Sequence, residues 1–210
     1  MEILTAIVDS VASAFQRGGP VMYVILMVSI YTTALCIERW LHYRRHHRLL
    51  KFENNNMAAQ LKEALASEKI MEGEADTPAR RIAFQAFRHQ TISKEELSDK
   101  IKACFLFETE KMEKNLNTIS VSASLLPMLG LLGTVVGMVT AFDAIAQYGT
   151  GDPRMVADGI SQALLTTEAG LISSIPLHFL HHNLSGKADN LIRRLDEYSS
   201  AILHIVTERG

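Results

Sequence analysis

The sequence predicts an all-α membrane protein with three transmembrane helices, and three observations predict it. The windows 18–37, 115–142 and 159–186 hold one charged residue between them, Glu168, whereas the 42–117 block is dense in Lys, Arg, Asp and Glu. A helix of roughly 20 apolar residues spans the ~30 Å hydrocarbon core with its backbone satisfied, and each window is long enough. Core helices of soluble proteins rarely stay uncharged over such lengths, because one face meets water. The overall charged fraction of 21% averages these two unlike populations.

Residues 1–17 place Ile3, Ile7, Val11 and Phe15 at helical spacing, with Asp9 and Arg17 opposite or flanking. This reads as a short periplasmic amphipathic helix at the interface; Glu2 stands where a cleaved leader would carry basic residues. Gly18, Gly19 and Pro20 lead into the first span, 18–41. Arg39, Arg44, Arg45, Arg48 and Lys51 follow that span, Lys111 and Lys114 precede the second (118–146), and Lys187, Arg193 and Arg194 follow the third (158–182). Only Arg17 and Arg154 lie on the other side. The bias predicts a periplasmic N-terminus and 147–157 loop, with a cytoplasmic helical domain at 42–117 and a cytoplasmic C-terminal helix at 183–210. Gly149, Gly151 and Pro153 make the loop a tight turn that joins spans two and three as a hairpin.

In the charged block, Asn54, Asn55, Asn56 and the stretch Gly73–Pro78 read as breaks. Ser93 followed by Glu96 is a capping box, after which Leu97, Ile101, Cys104 and Phe105 share a face. With no strong stop before span two, one helix is expected from about Ser93 to Ala146, on the order of 80 Å long. Span three is expected to continue through the stripe Leu191, Leu195, Tyr198, Ile202 and Ile205. Helices extended this far into the cytoplasm need more neighbours than one chain supplies, so a homo-oligomer is expected.

A net charge of −2 and a pI near 6.4 exclude a one-sided basic field for nucleic acid. Cys36 and Cys104 fall in an apolar window and a charged block and read as packing residues. His42, His46 and His47, and His178, His181 and His182, lie near span ends without a completing ligand set, so interfacial placement is expected and no metal. Neither a nucleophile elbow, a P-loop nor a paired-carboxylate cleft is present, which speaks against an enzyme and against a cofactor.

Span two carries Gly130, Gly133, Gly137 and Ala141 at steps of three and four, the register for close helix packing in lipid. Thr134 lies about 100° from Gly133 and is not explained by packing. In span three, Gln162, Ser173, Thr166, Gly170, Ser174 and Thr167 fall within about 140° of arc, with Leu164, Leu171, Ile175 and Phe179 opposite. Such a polar face suits a pore lining or a partner helix carrying a charge; hydroxyls bonded to their own backbone are the plainer alternative. Glu168 points about 240° from Gln162, away from that arc, and reads equally as a structural latch or a proton carrier.

Gly18-Gly19-Pro20-Val21-Met22, Glu38-Arg39, the run Leu129–Met138, and the run Gly159–Thr167 with Gly170-Leu171 and Ile175-Pro176 resemble the MotA/TolQ/ExbB proton channel family, on its ExbB side. The resemblance covers essentially the whole chain. It implies a homo-pentamer in the bacterial inner membrane whose second and third spans line a channel. The resemblance further implies that an ExbD-like single-span partner with a membrane aspartate sits within that channel, and that proton flow drives a TonB-like protein for import of iron complexes or vitamin B12. It also implies that Thr134 and Thr167 face the partner's aspartate. Members carry a glutamate where this chain has Gln162, and a small apolar residue where it has Glu168, so the pore carboxylate is missing or displaced. A TolQ-like or flagellar-stator-like subunit, and a membrane scaffold that moves no ions, are the competing expectations.

Overall fold

The computed structural model describes residues 13, 15–49, 78–88, 93–149 and 153–209, and is helical throughout its regular structure there. Five helices follow in order: α1 Gly19–Leu49, α2 Pro78–Arg88, α3 Lys94–Glu113, α4 Leu116–Tyr148 and α5 Pro153–Arg209. Most of the expected 1–17 helix, and the breaks at 54–56 and 73–77, lie outside the described residues, as do the side chains of His46 and His47. Stretches within α1, α4 and α5 are long and apolar enough to cross a membrane.

The chain forms two compact units, one from residues 1–37 and 115–182, the other from 38–114 and 183–210. In the first, α4 buries Leu116, Ile119, Ala123, Leu126, Gly130, Gly133, Gly137 and Ala141. In the same unit α5 buries Gly159, Ala163, Thr166, Gly170, Ser174 and Leu177. Steps of three or four keep each buried line on one seam, the packing of slightly supercoiled helices. Outward stand Met128, Leu131, Val135, Phe142, Leu164, Ile175 and Phe179, all more than half exposed, as lipid-facing side chains should be.

The second unit buries Pro78, Ala79, Ile82, Ala83 and Ala86 of α2, Leu97, Ile101, Glu108 and Met112 of α3, and Leu184, Ala188, Leu191, Leu195, Ser199, Ile202 and Ile205 of α5. The apolar stripe expected along 191–205 is therefore a packed face, with Tyr198 at its edge. Pro78 opens α2, where its fixed φ and missing N–H cost least. Ser93 caps α3, its hydroxyl accepting the Glu96 N–H at 3.3 Å.

One expectation is corrected. A single helix does not run from Ser93 to Ala146: α3 ends at Glu113 and α4 begins at Leu116. Lys114 is extended at ψ 135° and Asn115 is left-handed at φ 65°. Asparagine tolerates the left-handed region better than most residues, and Lys111 and Lys114 place positive charge at the last turn. Basic residues followed by Asn are a helix stop signal that competes here with the apolar periodicity. At the other end of α4, Gly149 at φ 69° closes the helix and its N–H reaches Ile145 O. With Pro153 opening α5, the connection is shorter than the 147–157 loop expected.

Candidate functional site

The α4–α5 seam in the first unit is built by glycines. A Cβ at Gly137 would stand 2.6 Å from Gly159 O and 2.7 Å from Ala163 N, and one at Gly170 would stand 2.6 Å from Leu126 O. At Gly130 it would meet Thr166 O and Thr167 Cα at 3.1 Å, and at Gly133 it would overlap the Thr166 side chain. The backbones thus approach as closely as small residues in this register allow, and all four glycines are packing residues.

The seam divides the polar arc of α5. Thr166 is fully buried on it, its hydroxyl donating to Gln162 O at 3.1 Å and Ala163 O at 2.9 Å. It packs against Gly133 and is covered by α4 within the single chain. Ser174, also buried, donates to Ala123 O at 2.9 Å. In a regular helix that carbonyl would receive the N–H of residue 127, which is Pro127 and has none. Ser174 supplies the missing donor from the neighbouring helix. Proline at 127 was the readable signal for an unsatisfied carbonyl four residues earlier; which hydroxyl answers it only the packing decides.

Gln162 and Ser173 lie on the flank of the seam turned toward α1, apart from Thr167. A Cβ at Gly19, a glycine at φ +66°, would overlap the Gln162 amide. Gln162 also borders a cavity of about 560 Å³ with Gln16, Arg17, Thr140, Asp143, Gln147, Asp158 and Ser161. Ser173 and Glu168 share an apolar groove with Met22, Ile25, Leu26, Ser29 and Ile172. Glu168 is exposed in that groove.

Thr134 and Thr167 remain. Both are half-buried. Thr167 Oγ1 donates across the seam to Gly130 O at 3.2 Å and lies 3.4 Å from Ala163 O, while Thr134 Oγ1 donates to Leu131 O at 2.6 Å within its own helix. At about 100° per residue, each lies just off the buried line of its helix, on the flank opposite the one that lines the α1 cavity and groove. The two threonines therefore border the same side of the seam, with Ser120 and Ser124 further along it. Hydroxyls on that edge have local acceptors but can rotate to donate to or accept from a group arriving from outside.

The sequence compares with known proteins in the same sense. The profile of the MotA/TolQ/ExbB proton channel family matches residues 74–197, more than half the chain. An ExbB homologue (biopolymer transport protein) of Methanothermobacter thermautotrophicus is 28% identical over 210 residues, covering 95% of this chain and 74% of that one. ExbB of Salmonella typhimurium is 24% identical, covering 87% of this chain and 79% of the relative. TolQ of Pseudomonas aeruginosa is 36% identical over 101 residues, 46% of this chain and 43% of that protein. With three helices long and apolar enough for a membrane and a glycine-packed pair among them, the chain belongs to the MotA/TolQ/ExbB proton channel family.

Proposed function

We propose that the protein is a proton-channel motor subunit of ExbB type in the bacterial inner membrane. It assembles as a homo-pentamer with an ExbD-like partner and drives a TonB-like protein in the import of iron complexes or vitamin B12. The observation that carries the reading is the placement of Thr134 and Thr167 on one edge of the α4–α5 seam, away from α1. In a ring of such pairs, that edge is where a partner helix with a membrane aspartate would meet hydroxyls, and hydroxyls can solvate a carboxylate through a protonation cycle. The charged second unit and the end of α5 face the cytoplasm in this reading, following the positive charge at the span ends.

Thr134→Val and Thr167→Val are expected each to lower proton flux through vesicles holding the purified complex by about tenfold, the worth of a hydrogen bond to a charged group. The oligomer should remain assembled, since each change keeps the side chain's shape. Wild-type flux in both variants, with the partner bound, removes these residues from the pathway. Glu168, on the α1 flank, acts in this reading as a latch. Glu168→Gln keeps the hydrogen-bonding capacity and is expected to retain flux within about twofold; loss of flux with assembly intact would make Glu168 a proton carrier instead.

A TolQ-type role is the second reading, favoured by the 36% identity to TolQ across 101 residues. Copurification from the native membrane separates the two by whether the bound partner is TonB-like.

A further inference from the structure

At one side of the first unit, each uncharged window gives way to an ionisable residue. Arg17 stands just before the window 18–37, Asp143 just after 115–142 and Asp158 just before 159–186. Such positions mark the level at which the hydrocarbon of a bilayer meets its polar heads. All three residues are exposed, and all three line the cavity of about 560 Å³, with Gln16, Gln147 and Gln162 beside them. Among the described residues none of the three makes an ion pair or a hydrogen bond, with one another or with a neighbour.

Opposite charges that face one cavity without pairing leave room between them for a dipolar group. A guanidinium takes a phosphate, and carboxylates take an ammonium that still has N–H groups to donate. The cavity does not stand alone on this flank. The apolar groove of about 420 Å³ begins at Phe15, the residue before Gln16, and at Leu165, one turn from Gln162. It reaches Ser173, about 12 Å further along α5. Seven of its ten lining residues are apolar, among them Met22, Ile25, Leu26 and Ile172; Ser29, Glu168 and Ser173 are the others. A polar cavity at head level that leads into an apolar groove at hydrocarbon level has the two halves of an amphiphile.

We propose that the α1–α5 flank of the first unit binds one phospholipid whose head carries both a phosphate and a primary ammonium, with the head in the cavity and one acyl chain in the groove. Arg17 meets the phosphate, and Asp143 and Asp158 accept from the ammonium. A choline head has no N–H to give those carboxylates, and a glycerol head has no cation, so the site selects phosphatidylethanolamine. The inference rests on the three apolar helices crossing a bilayer. It depends neither on the channel reading above nor on which way the chain faces, since both bilayer surfaces carry heads at this level.

The test is native mass spectrometry of the full chain, stripped of lipid in detergent and titrated with phosphatidylethanolamine, phosphatidylcholine or phosphatidylglycerol of identical acyl chains. One phosphatidylethanolamine per chain is expected to be retained, about tenfold more tightly than phosphatidylcholine, the worth of a hydrogen bond to a charged group. Asp143→Asn combined with Asp158→Asn should reduce that preference to within about twofold, and Arg17→Gln should weaken all three lipids about fivefold. These positions are exposed, so the fold tolerates the changes. Ala169→Phe, which fills the groove, should lower retention about tenfold, and glycerophosphoethanolamine, the head without its chains, should not compete. Equal retention of the three lipids by the wild type, or a preference that the aspartate changes leave untouched, would overturn the site. Competition by the chain-free head at equal concentration would also overturn it, because the ligand would then be a soluble compound. So would a protein that retains no lipid and whose oligomer dissociates on Ala169→Phe, because the groove would then hold a second copy of the chain.

Discussion

Replacing Gly137 by alanine is expected to lower the stability of the protein by about 3 kcal/mol, because the new methyl group meets backbone on the facing helix. Its Cβ would stand 2.6 Å from Gly159 O and 2.7 Å from Ala163 N, and neither can move without displacing α5. A side-chain neighbour could rotate; a helix backbone cannot. For a chain of this size that loss lowers the apparent melting temperature by roughly 6–12 °C, measurable by fluorescence-detected size exclusion after heating in detergent. The internal control is Gly186→Ala. Nothing lies within 4 Å of a Cβ at Gly186, which is exposed within α5, so alanine there should stabilise by about 0.5–1 kcal/mol through helix propensity. Equal melting temperatures for the two variants would mean that α4 and α5 are not packed through Gly137.

The second large effect belongs to Arg81, which docks α2 onto α3. Glu108 is 2% exposed and accepts from Arg81 Nη2 at 2.6 Å and Nε at 2.9 Å, and from Lys111 Nζ at 3.2 Å. Burial by itself would raise the Glu108 carboxyl, but the bonds and charges of Arg81, then of Lys111, outweigh it and hold the group below the ordinary carboxylate range. Arg81→Ala leaves that carboxylate buried with Lys111 alone, whose side chain is 46% exposed. The loss is set below that of a fully enclosed pair, at about 2–3 kcal/mol. It should appear locally, as amide exchange in α2 faster by roughly thirty- to 150-fold.

The same pair gives α2 a pH dependence with a definite sign. A carboxyl whose folded value is depressed contributes stability that is fully present above its unfolded value, and loses it as pH falls through the lower folded value. Protection of α2 should therefore hold through neutral pH and decay in acid, from the ordinary glutamate range down to the lower folded value, and Glu108→Gln should abolish the decay. Acid-independent protection in the wild type would show that the ion pair does not hold α2.

Much of this architecture was legible because the bilayer imposes simple arithmetic. Uncharged windows of 20 residues or more, Gly149 and Pro153 at the hairpin, Ser93 with Glu96 at a helix start, and the stripe through Leu191, Leu195, Ile202 and Ile205 are local or periodic signals, each tied to one backbone requirement. The glycines of α4 belong with them, since a small residue every three or four positions has one common use in lipid. The polar arc of α5 was less legible. Periodicity placed Gln162, Thr166, Thr167 and Ser173 on one broad face, but a face of about 140° is wider than one neighbour covers. Thr166 fell to the α4 seam, Gln162 and Ser173 to the α1 flank, and Thr167 to the free edge. The Arg81–Glu108 pair was illegible, because its residues lie 27 positions apart and nothing periodic connects them.

By itself the sequence determined which segments can lie in lipid, which helix faces are small enough to pack, and where most helices start and stop. These follow from side-chain size, charge and capping chemistry within a turn or two. Tertiary structure decided which hydroxyl reaches an open carbonyl, as Ser174 does for Ala123, and which side of the seam each threonine borders. It also decided that the helix expected to run unbroken through residue 115 stops there. The stop signal at Lys114-Asn115 is weak alone and competes with an apolar stripe that runs straight through it. The carbonyls of Lys111 and Met112, at the end of α3, accept instead from Arg39 and Tyr43 of α1, some seventy residues away in sequence, and only the packed chain brings those donors there.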